Sequence, residues 1–546
     1  MITDLKIDEE RKKLYYEKGY WTSETLNDVW SRQVAAYGSK TYVKDDLGAC
    51  YTYKEVDEKA SRLASWMRDE GVRDGDIVSF QVPICATFTI VYVACLKVGA
   101  VMHPLPINFS CEELEYVMNL VGTRLFICPT MHCKTDYEAQ ITEIRDLLRN
   151  VSGVGLIDDE APAQGTEFLT LSSILEEYDP IEKKPRAKAD DVAVILSTSG
   201  TTGRPKQVLL THNNVIFSER SFCNGYHRDE HDVMLMPSPL NHATGFFHGL
   251  ISPMILGGKS ILQHKFSTEA AIGLINSEGV TWSMGATPFI YDILNYMDEH
   301  EDAHMDSFEV FLCGGAPLPS SMIERAHEHG VLLCEIYGST ESCPHVYVPM
   351  EKCLEWSGAW SGIPFEGIEV RVVDTEHNEV PYGTQGEECS RGPHQFVGYL
   401  YDQERTARAL DKDGWFYSGD LCYMDEENRI RINGRKKEII IRGGENISAH
   451  DVDEAVEGCP GIGSHATIGM PDPRLGERIC TFVVCKGDIQ PTLQDVIGYL
   501  KQKRVSKRLW PERVEIVESL PMTPTGKIKR HLLAAELEKR MRAEVR

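Results

Sequence analysis

The sequence predicts an α/β fold. A large N-terminal domain of mainly parallel β-sheet flanked by helices leads into a β-rich subdomain and then a small α+β C-terminal domain. Three observations carry this reading. Apolar strand-like runs alternate with helical stripes through most of the first 340 residues, three successive runs end in small-residue turns, and the texture changes near residue 362 to short alternating segments separated by Gly and Pro.

Residues 51–71 (YTYKEVDEKASRLASWMRDEG) place Val56, Ala60, Leu63, Ala64 and Met67 on one helical stripe, with Gly71 as the stop. A strand-like run at 77–82 follows, and LKVGAVMHPL (96–105) reads as a helix end turning into a strand. Runs at 124–128 and 153–157 continue the alternation, which favours parallel pairing because a parallel connection needs a crossover, usually a helix. Further strands are expected at 191–196, 232–236 and 259–262, with Ser267 as the N-cap of the next helix. The runs at 280–284, 308–313 and 331–336 end in GATP (285–288), GGAP (314–317) and YGSTE (337–341). Such sheets hold ligands in loops beyond the C-terminal ends of their strands, so these turns predict one shared cleft. A charged knot, GRKKE (434–438), precedes the apolar III (439–441). A chain crossing between two bodies should be polar and solvated, so the boundary is placed there, giving domains 1–434 (β-rich part about 362–434) and 435–546.

The chain's 546 residues exceed one ordinary core, and 42% apolar with 26% charged residues is the balance of a folded protein. The net charge of −26, from 57 basic and 83 acidic residues, disfavours nucleic acid and anionic membranes as general partners, because both polyanions would be repelled. The start, MITDLKIDEERKKLYY, lacks the apolar core of a secretory signal, and the longest apolar run, around 88–96, is too short to span a bilayer and reads as a buried helix. No transmembrane segment is therefore expected; weak peripheral membrane contact and oligomeric state stay open. Sixteen cysteines without a CxxC pair read as reduced core thiols in a cytoplasmic protein, not as a disulfide framework or a zinc site.

The most chemical stretch is LSTSGTTGRPK (196–206), where the strand at 191–196 runs into hydroxyl residues and glycines and then a base. Gly200 and Gly203 let the backbone approach a ligand and turn N–H groups inward, Thr198, Ser199, Thr201 and Thr202 add hydroxyl donors, and Lys206 adds charge, a composition suited to polyphosphate. It is not a Walker loop: Pro205 precedes Lys206 and Gln207 follows, where that pattern needs Gly-Lys-Ser/Thr.

TSGTTGRPK (198–206), PLNHATG (239–245), YGSTES (337–342), GEECSRGPHQFVGY (386–399), YSGD (417–420), GRKKEIIIRGGENIS (434–448) and PTGKIKR (524–530) resemble, in order, the motif series of the acyl-adenylate-forming superfamily. That superfamily includes acyl- and aryl-CoA ligases, peptide-synthetase adenylation domains and firefly luciferase. NHATGFFHG (241–249), GATPFIYDIL (285–294), FLCGGAPLP (311–319) and YGSTESCPH (337–345) look most like bacterial medium-chain fatty acyl-CoA ligases.

The resemblance implies a reaction in two steps. A carboxylate attacks the α-phosphate of ATP and releases pyrophosphate, and the thiol of coenzyme A then displaces AMP, with the C-terminal domain turning between two poses. It implies that Thr198, Ser199, Gly200, Thr201, Thr202 and Lys206 hold the β- and γ-phosphates, that Glu341 binds Mg²⁺, and that Thr340 touches the α-phosphate. Gly314, Gly315, Ala316 and Tyr337, with Gly338 beside them, would form the adenine slot; Asp420, assisted by Arg435, would take the ribose hydroxyls. Lys527 matches the catalytic lysine, a mobile point charge for the adenylation transition state; Lys437 sits at the hinge, and Gly443, Gly444 and Glu445 would border the pantetheine tunnel. Two positions depart from the pattern: Ser197 stands where an aromatic residue is common, and Gln207 replaces a usual glycine.

His242, Gly245, Phe246, Gly249, Ala286, Thr287, Tyr291 and Cys313 are the expected acyl-site residues. None is an obvious fixed charge, which favours an apolar tail over the ammonium of an amino acid. The first reading is an ATP-dependent ligase of medium-chain fatty acids and coenzyme A. The alternatives are a ligase for a cyclic or aromatic carboxylate such as cyclohexanecarboxylate and, in another class, a non-catalytic nucleotide-binding protein.

Overall fold

The computed structural model describes residues 2, 5–163, 168–198, 205–315, 318–442, 445–472, 474–487, 489–523 and 527–544. Ser199, Gly200, Thr201, Thr202, Ala316, Gly443 and Gly444 lie outside them, as do the side chains of Lys437 and Glu445. The chain forms two compact units, Met1–Glu369 with Ser390–Phe416, and Val370–Cys389 with Tyr417–Arg546.

The first unit contains a nine-stranded and a seven-stranded sheet. In the larger sheet, Leu332–Ser339, Val310–Gly314, Trp282–Gly285, Val233–Met236, Lys259–Leu262 and Thr41–Asp45 pair in that order, all parallel. Antiparallel strands close both edges, Cys343–Tyr347 and Ile363–Pro364 on one side and Cys50–Thr52 on the other. The seven-stranded sheet runs Lys206–Thr211, Val192–Thr198, Val101–Pro104, Ile77–Phe80, Leu125–Pro129, Gly153–Ile157, Leu169–Thr170; the pairing of its first two strands is antiparallel and the rest are parallel.

The helix Tyr53–Asp69 starts at a Thr52–Glu55 capping box, and its stripe Val56, Ala60, Leu63, Ala64 and Met67 is buried as the periodicity predicts. The apolar run near residue 88 is the helix Thr87–Val98, buried at every position but Lys97, so it lies in the core. Ser267 stands at the N-cap of the helix Thr268–Glu278, yet its side chain makes no capping hydrogen bond. Several helices escaped the sequence reading, among them Leu26–Tyr37 and His212–Gly225, both opened by capping boxes. No helix among the described residues is long and apolar enough to cross a membrane. All sixteen cysteines are free and most are buried.

The second unit carries a four-stranded sheet, Glu369–Val373, Gly386–Arg391, Phe416–Met424, Ile430–Arg435, and a five-stranded one. The expected boundary at residue 434 falls inside this unit, because Asp420 pairs with Arg435 and the sheet carries the chain into the charged knot. In the five-stranded sheet, side chains of Gly476–Cys485 alternate between two cores. Ile479 packs with Ile440, Val452, Val456, Val496 and Leu500, and Cys480 and Phe482 pack with Ala466, Leu533 and Leu537. Period-two alternation thus sandwiches the sheet between the helices Ala449–Val456 and Leu493–Gln502 on one face and Arg530–Glu544 on the other.

Candidate active site

The loop expected to hold phosphates is the connection of an antiparallel hairpin, since Thr198 ends one strand and Lys206, its register partner, opens the next. Along the outer edge of the returning strand runs the segment 397–400: Leu209 N–H donates to the Gly398 carbonyl at 3.0 Å and Leu400 N–H to the Gln207 carbonyl at 2.9 Å. One residue earlier, Phe396 N–H donates to the Glu341 carbonyl at 2.7 Å. This segment therefore ties the strand Lys206–Thr211 to the turn that holds Thr340 and Glu341.

Three side chains meet there. Lys206 Nζ lies 3.2 Å from Glu341 Oε1, Tyr399 O–H donates to the same oxygen at 2.8 Å, and Lys206 Nζ is 3.4 Å from the phenol oxygen. The ammonium also sits 5.1 Å from the centre of the Tyr399 ring. Glu341 is 8% exposed and its Oε2 has no hydrogen-bond partner among the described residues. Burial, with the Glu341 charge beside it, pushes the Tyr399 phenol well above its usual range, so the tyrosine remains a donor. Tyr399 closes the motif GEECSRGPHQFVGY, but its contact with a carboxylate 58 residues away has no local signal in the sequence.

At the base of the loop the two departures from the family pattern meet. Ser197 and Gln207 are register partners, and Ser197 O–H donates to Gln207 Oε1 at 2.9 Å. His103 Nε2 lies 3.2 Å from that same oxygen, its Nδ1 lies 2.8 Å from Ser79 Oγ, and Ser79 Oγ is 2.6 Å from Thr123 Oγ1. His103 is wholly buried, and desolvation pushes its pKa down to about 4. A neutral ring must then donate from Nε2 to the amide oxygen and accept from Ser79 at Nδ1. A buried polar chain thus braces the hairpin where a glycine and an aromatic residue are more usual.

The C-terminal ends of three adjacent parallel strands line up with one another. Gly285 pairs with Cys313 and Gly314 with Ile336, so Ala286, Thr287, Gly315 and Tyr337 occupy one rim of the sheet. Thr287 Oγ1 is 3.4 Å from Cys313 Sγ, whose thiol burial pushes up to about 12. Tyr337 is half-buried, and its ring meets His345 edge-on at 5.0 Å. Gly338 is required for close approach: a Cβ there would lie 2.0 Å from the Cys343 carbonyl oxygen across the hairpin. Tyr291, farther along the helix Thr287–Glu299, is 44% exposed.

His242 precedes the π-helix Thr244–Ile251, a rare wide turn often found at functional sites. Thr244 N–H is 3.4 Å from His242 Nδ1 and Phe246 N–H donates to the His242 carbonyl at 2.9 Å, so the histidine is part of the helix entry. Phe246 is fully buried against Phe88 and Tyr92, each at a 5.5 Å ring-centre distance. Gly249 lets the π-helix press onto Met236, whose Cγ would lie 2.6 Å from an added Cβ.

In the second unit Asp420, 4% exposed, lies 2.8 Å from Arg435 Nε. Its turn is held by a residue to which sequence reading gave no role. Glu387 accepts from Gly419 N–H at 3.0 Å through Oε1 and from Lys436 Nζ at 2.7 Å through Oε2. Lys437 lies in the short 3-10 turn Lys436–Glu438, and Glu445 opens the strand Glu445–Ser448. Lys527 is exposed; Thr523 N–H donates to its carbonyl at 2.7 Å and its own N–H to Thr523 Oγ1 at 3.0 Å. Arg530, three residues on, anchors that loop: its guanidinium reaches Asp453 at 2.7 Å, Glu438 at 3.1 Å and the Thr467 carbonyl at 3.1 Å.

Residues 30–400 match the family model described as AMP-binding enzyme, and residues 451–527 match that of the AMP-binding enzyme C-terminal domain. A medium-chain fatty-acid–CoA ligase of Escherichia coli strain K12 is 40% identical over 546 residues, covering 100% of this chain and 96% of that protein. A feruloyl-CoA synthase from an Amycolatopsis species is 30% identical over 482 residues, 88% of this chain and 93% of that one. The solved structure of ATP-bound MatB from Rhodopseudomonas palustris has a TM-score of 0.84 at 24% identity, covering 94% of this chain and 99% of its own, a likeness of fold.

Proposed function

Because the chain belongs to the AMP-binding enzyme family, an AMP-forming acid–thiol ligase, we propose that it joins medium-chain fatty acids to coenzyme A. The observation that carries the reading is the Lys206–Glu341–Tyr399 cluster. It sets a cation beside the loop expected to hold phosphates, and a buried carboxylate whose second oxygen has no hydrogen-bond partner among the described residues.

The chemistry follows from what each group can do. A carboxylate is a poor acyl donor because oxide is a poor leaving group. Attack of its oxygen on the α-phosphorus of ATP forms the acyl-adenylate and expels pyrophosphate. The coenzyme A thiol loses its proton and attacks the acyl carbon, and AMP leaves. Lys206 neutralises charge on the β- and γ-phosphates as it leaves Glu341. The Glu341 oxygen that has no hydrogen bond among the described residues is a hard donor and fits Mg²⁺, which when bound would offset phosphate charge. Asp420 accepts from the ribose hydroxyls, with Arg435 orienting its carboxylate. Lys527 stabilises charge developing between carboxylate and α-phosphate, and Gly443, Gly444 and Glu445 border the path of the thiol after residues 435–546 turn about Lys437.

An apolar acid is favoured because Phe246, Gly249, Ala286, Thr287 and Cys313 offer no fixed charge, and because the 40% identical relative is itself a medium-chain ligase. An aromatic acid is the second reading, favoured by the feruloyl-CoA synthase likeness. A panel of octanoate, decanoate, cyclohexanecarboxylate, benzoate and ferulate, assayed by pyrophosphate release with and without coenzyme A, separates them. Turnover of the straight-chain acids with the ring acids inert supports the proposal; the reverse overturns it.

A further inference from the structure

A second cluster of chemically capable side chains lies away from the phosphate loop, within the first unit. His132, Cys133 and His264 bring their potential metal-binding atoms within 4.8 Å of one another. His132 and Cys133 belong to the small hairpin Met131–His132 and Thr135–Asp136, which follows the strand Leu125–Pro129 of the seven-stranded sheet. His264 comes two residues after Lys259–Leu262 of the nine-stranded sheet. The rings meet edge-on, with centres 5.0 Å apart.

The outer nitrogens of both rings are already engaged. His132 Nδ1 lies 2.6 Å from Glu160 Oε1, and His264 Nδ1 lies 3.1 Å from the Ile84 carbonyl. A carbonyl can only accept, so His264 must carry its proton on Nδ1, and a carboxylate imposes the same tautomer on His132. In that tautomer the lone pair of each ring lies on Nε2, and neither Nε2 has a hydrogen-bond partner among the described residues. Carboxylate–histidine and carbonyl–histidine pairs of this kind orient imidazoles that bind metals and raise their basicity. Asp46 Oδ1 accepts the His264 backbone N–H at 2.8 Å and fixes the base of that residue.

We propose that His132 Nε2, His264 Nε2 and Cys133 Sγ form a zinc site that joins the small two-stranded hairpin after Leu125–Pro129 to the segment that follows Lys259–Leu262 of the nine-stranded sheet. Two imidazoles and a thiolate are the donors of a borderline-soft ion, and three protein ligands leave a fourth tetrahedral position for water. Bond lengths of about 2.0–2.1 Å to nitrogen and 2.3 Å to sulfur require donors roughly 3.5 Å apart, a spacing within the 4.8 Å that bounds the cluster. Binding releases the Cys133 thiol proton to solvent, and the ion then holds the two-stranded hairpin to the end of a strand of the nine-stranded sheet. Absence of CxxC spacing hid this site from sequence reading, because the third donor lies more than a hundred residues from the first two.

The test uses the full-length protein with Zn²⁺ against a competing chromophoric chelator, and Co²⁺ as a spectroscopic substitute. Wild type should bind one equivalent of Zn²⁺ at least about tenfold more tightly than Cys133→Ser or His264→Gln. Its Co²⁺ form should show a thiolate-to-metal charge-transfer band that Cys133→Ser lacks, and Zn²⁺ should raise the melting temperature of wild type alone. Acid-dependent pyrophosphate release by both variants reports that they are folded. Equal Zn²⁺ affinity in wild type and Cys133→Ser, a Co²⁺ spectrum without the thiolate band, or loss of binding on His231→Ala in the exposed Asp229–Glu230–His231 triplet would overturn the proposal.

Discussion

Tyr399 donates its phenol proton to Glu341 at 2.8 Å while Lys206 approaches the same carboxylate oxygen at 3.2 Å, so both donors in this cluster converge on one acceptor. The arrangement keeps a buried negative charge satisfied and holds the lysine at the mouth of the hairpin. Removing one donor should therefore weaken nucleotide binding without dismantling the fold. Tyr399→Phe is expected to lower kcat/KM for MgATP by about tenfold, as befits one hydrogen bond to a charged group, while Glu341→Ala should be far worse. Titrating activity against Mg²⁺ at fixed ATP checks this; an unchanged Mg²⁺ profile in Tyr399→Phe would count against the role given to Glu341.

His103 should stay neutral wherever the enzyme works. Its folded pKa of about 4 lies below the usual value of 6.5, so between those limits the unfolded chain binds more protons than the folded one. Stability from this group is complete above pH 6.5 and is lost as the pH falls towards 4. His212, also buried and with its pKa pushed down to about 4 by desolvation, adds to the same window. The imidazole resonance of His103 should not titrate between pH 8 and 5.5; a midpoint near 6.5 would show that the ring is not desolvated as described.

The brace beneath the hairpin makes a specific demand on Gln207. Gln207→Gly restores the more usual residue but leaves His103 Nε2 and Ser197 without their common acceptor. We expect a higher KM for ATP with little change in KM for the acid, and a lower melting temperature, since a buried donor left unpaired costs about 1–3 kcal/mol. Steady-state kinetics with each substrate varied in turn decides it.

Arg530 anchors the loop of Lys527 to Asp453 and to Glu438 of the charged knot. Lys527→Ala should abolish acyl-adenylate formation yet still allow coenzyme A to consume chemically made acyl-AMP, and Lys437→Pro should show the opposite loss. Arg530→Ala is expected to reproduce the Lys527→Ala pattern in weaker form, about tenfold, with partial rescue by Arg530→Lys. Equal damage to both half-reactions in all these variants would contradict a division of labour.

Much of this molecule is written in local patterns. The stripe of Tyr53–Asp69, the apolar helix Thr87–Val98 and the parallel strands ending at Gly285, Gly314 and Ser339 all declare themselves by periodicity and by the small residues that follow them. The helix Leu26–Tyr37, not among the expected elements, is just as legible: a Thr25–Asp28 capping box marks its start, and Leu26, Val29 and Trp30 recur at helical spacing on its buried face. The candidate site residues of the two units divide in the same way. Lys206, Glu341, Asp420 and Lys527 stand in ordered motifs, whereas Tyr399, Glu387 and His103 act through partners brought close only by tertiary pairing. Ser197 and Gln207 each looked like a departure from pattern, and only the register of the hairpin shows that they compensate each other.

The account rests on a carboxylate oxygen becoming bonded to the α-phosphorus of ATP before the thiol arrives. Incubation with ATP, coenzyme A and octanoate labelled with ¹⁸O in both carboxyl oxygens, followed by mass spectrometry of the products, tests this directly. The account predicts AMP carrying one ¹⁸O and acyl-CoA retaining the other, with unlabelled pyrophosphate. Label in orthophosphate or pyrophosphate, or AMP formed without label, would contradict it.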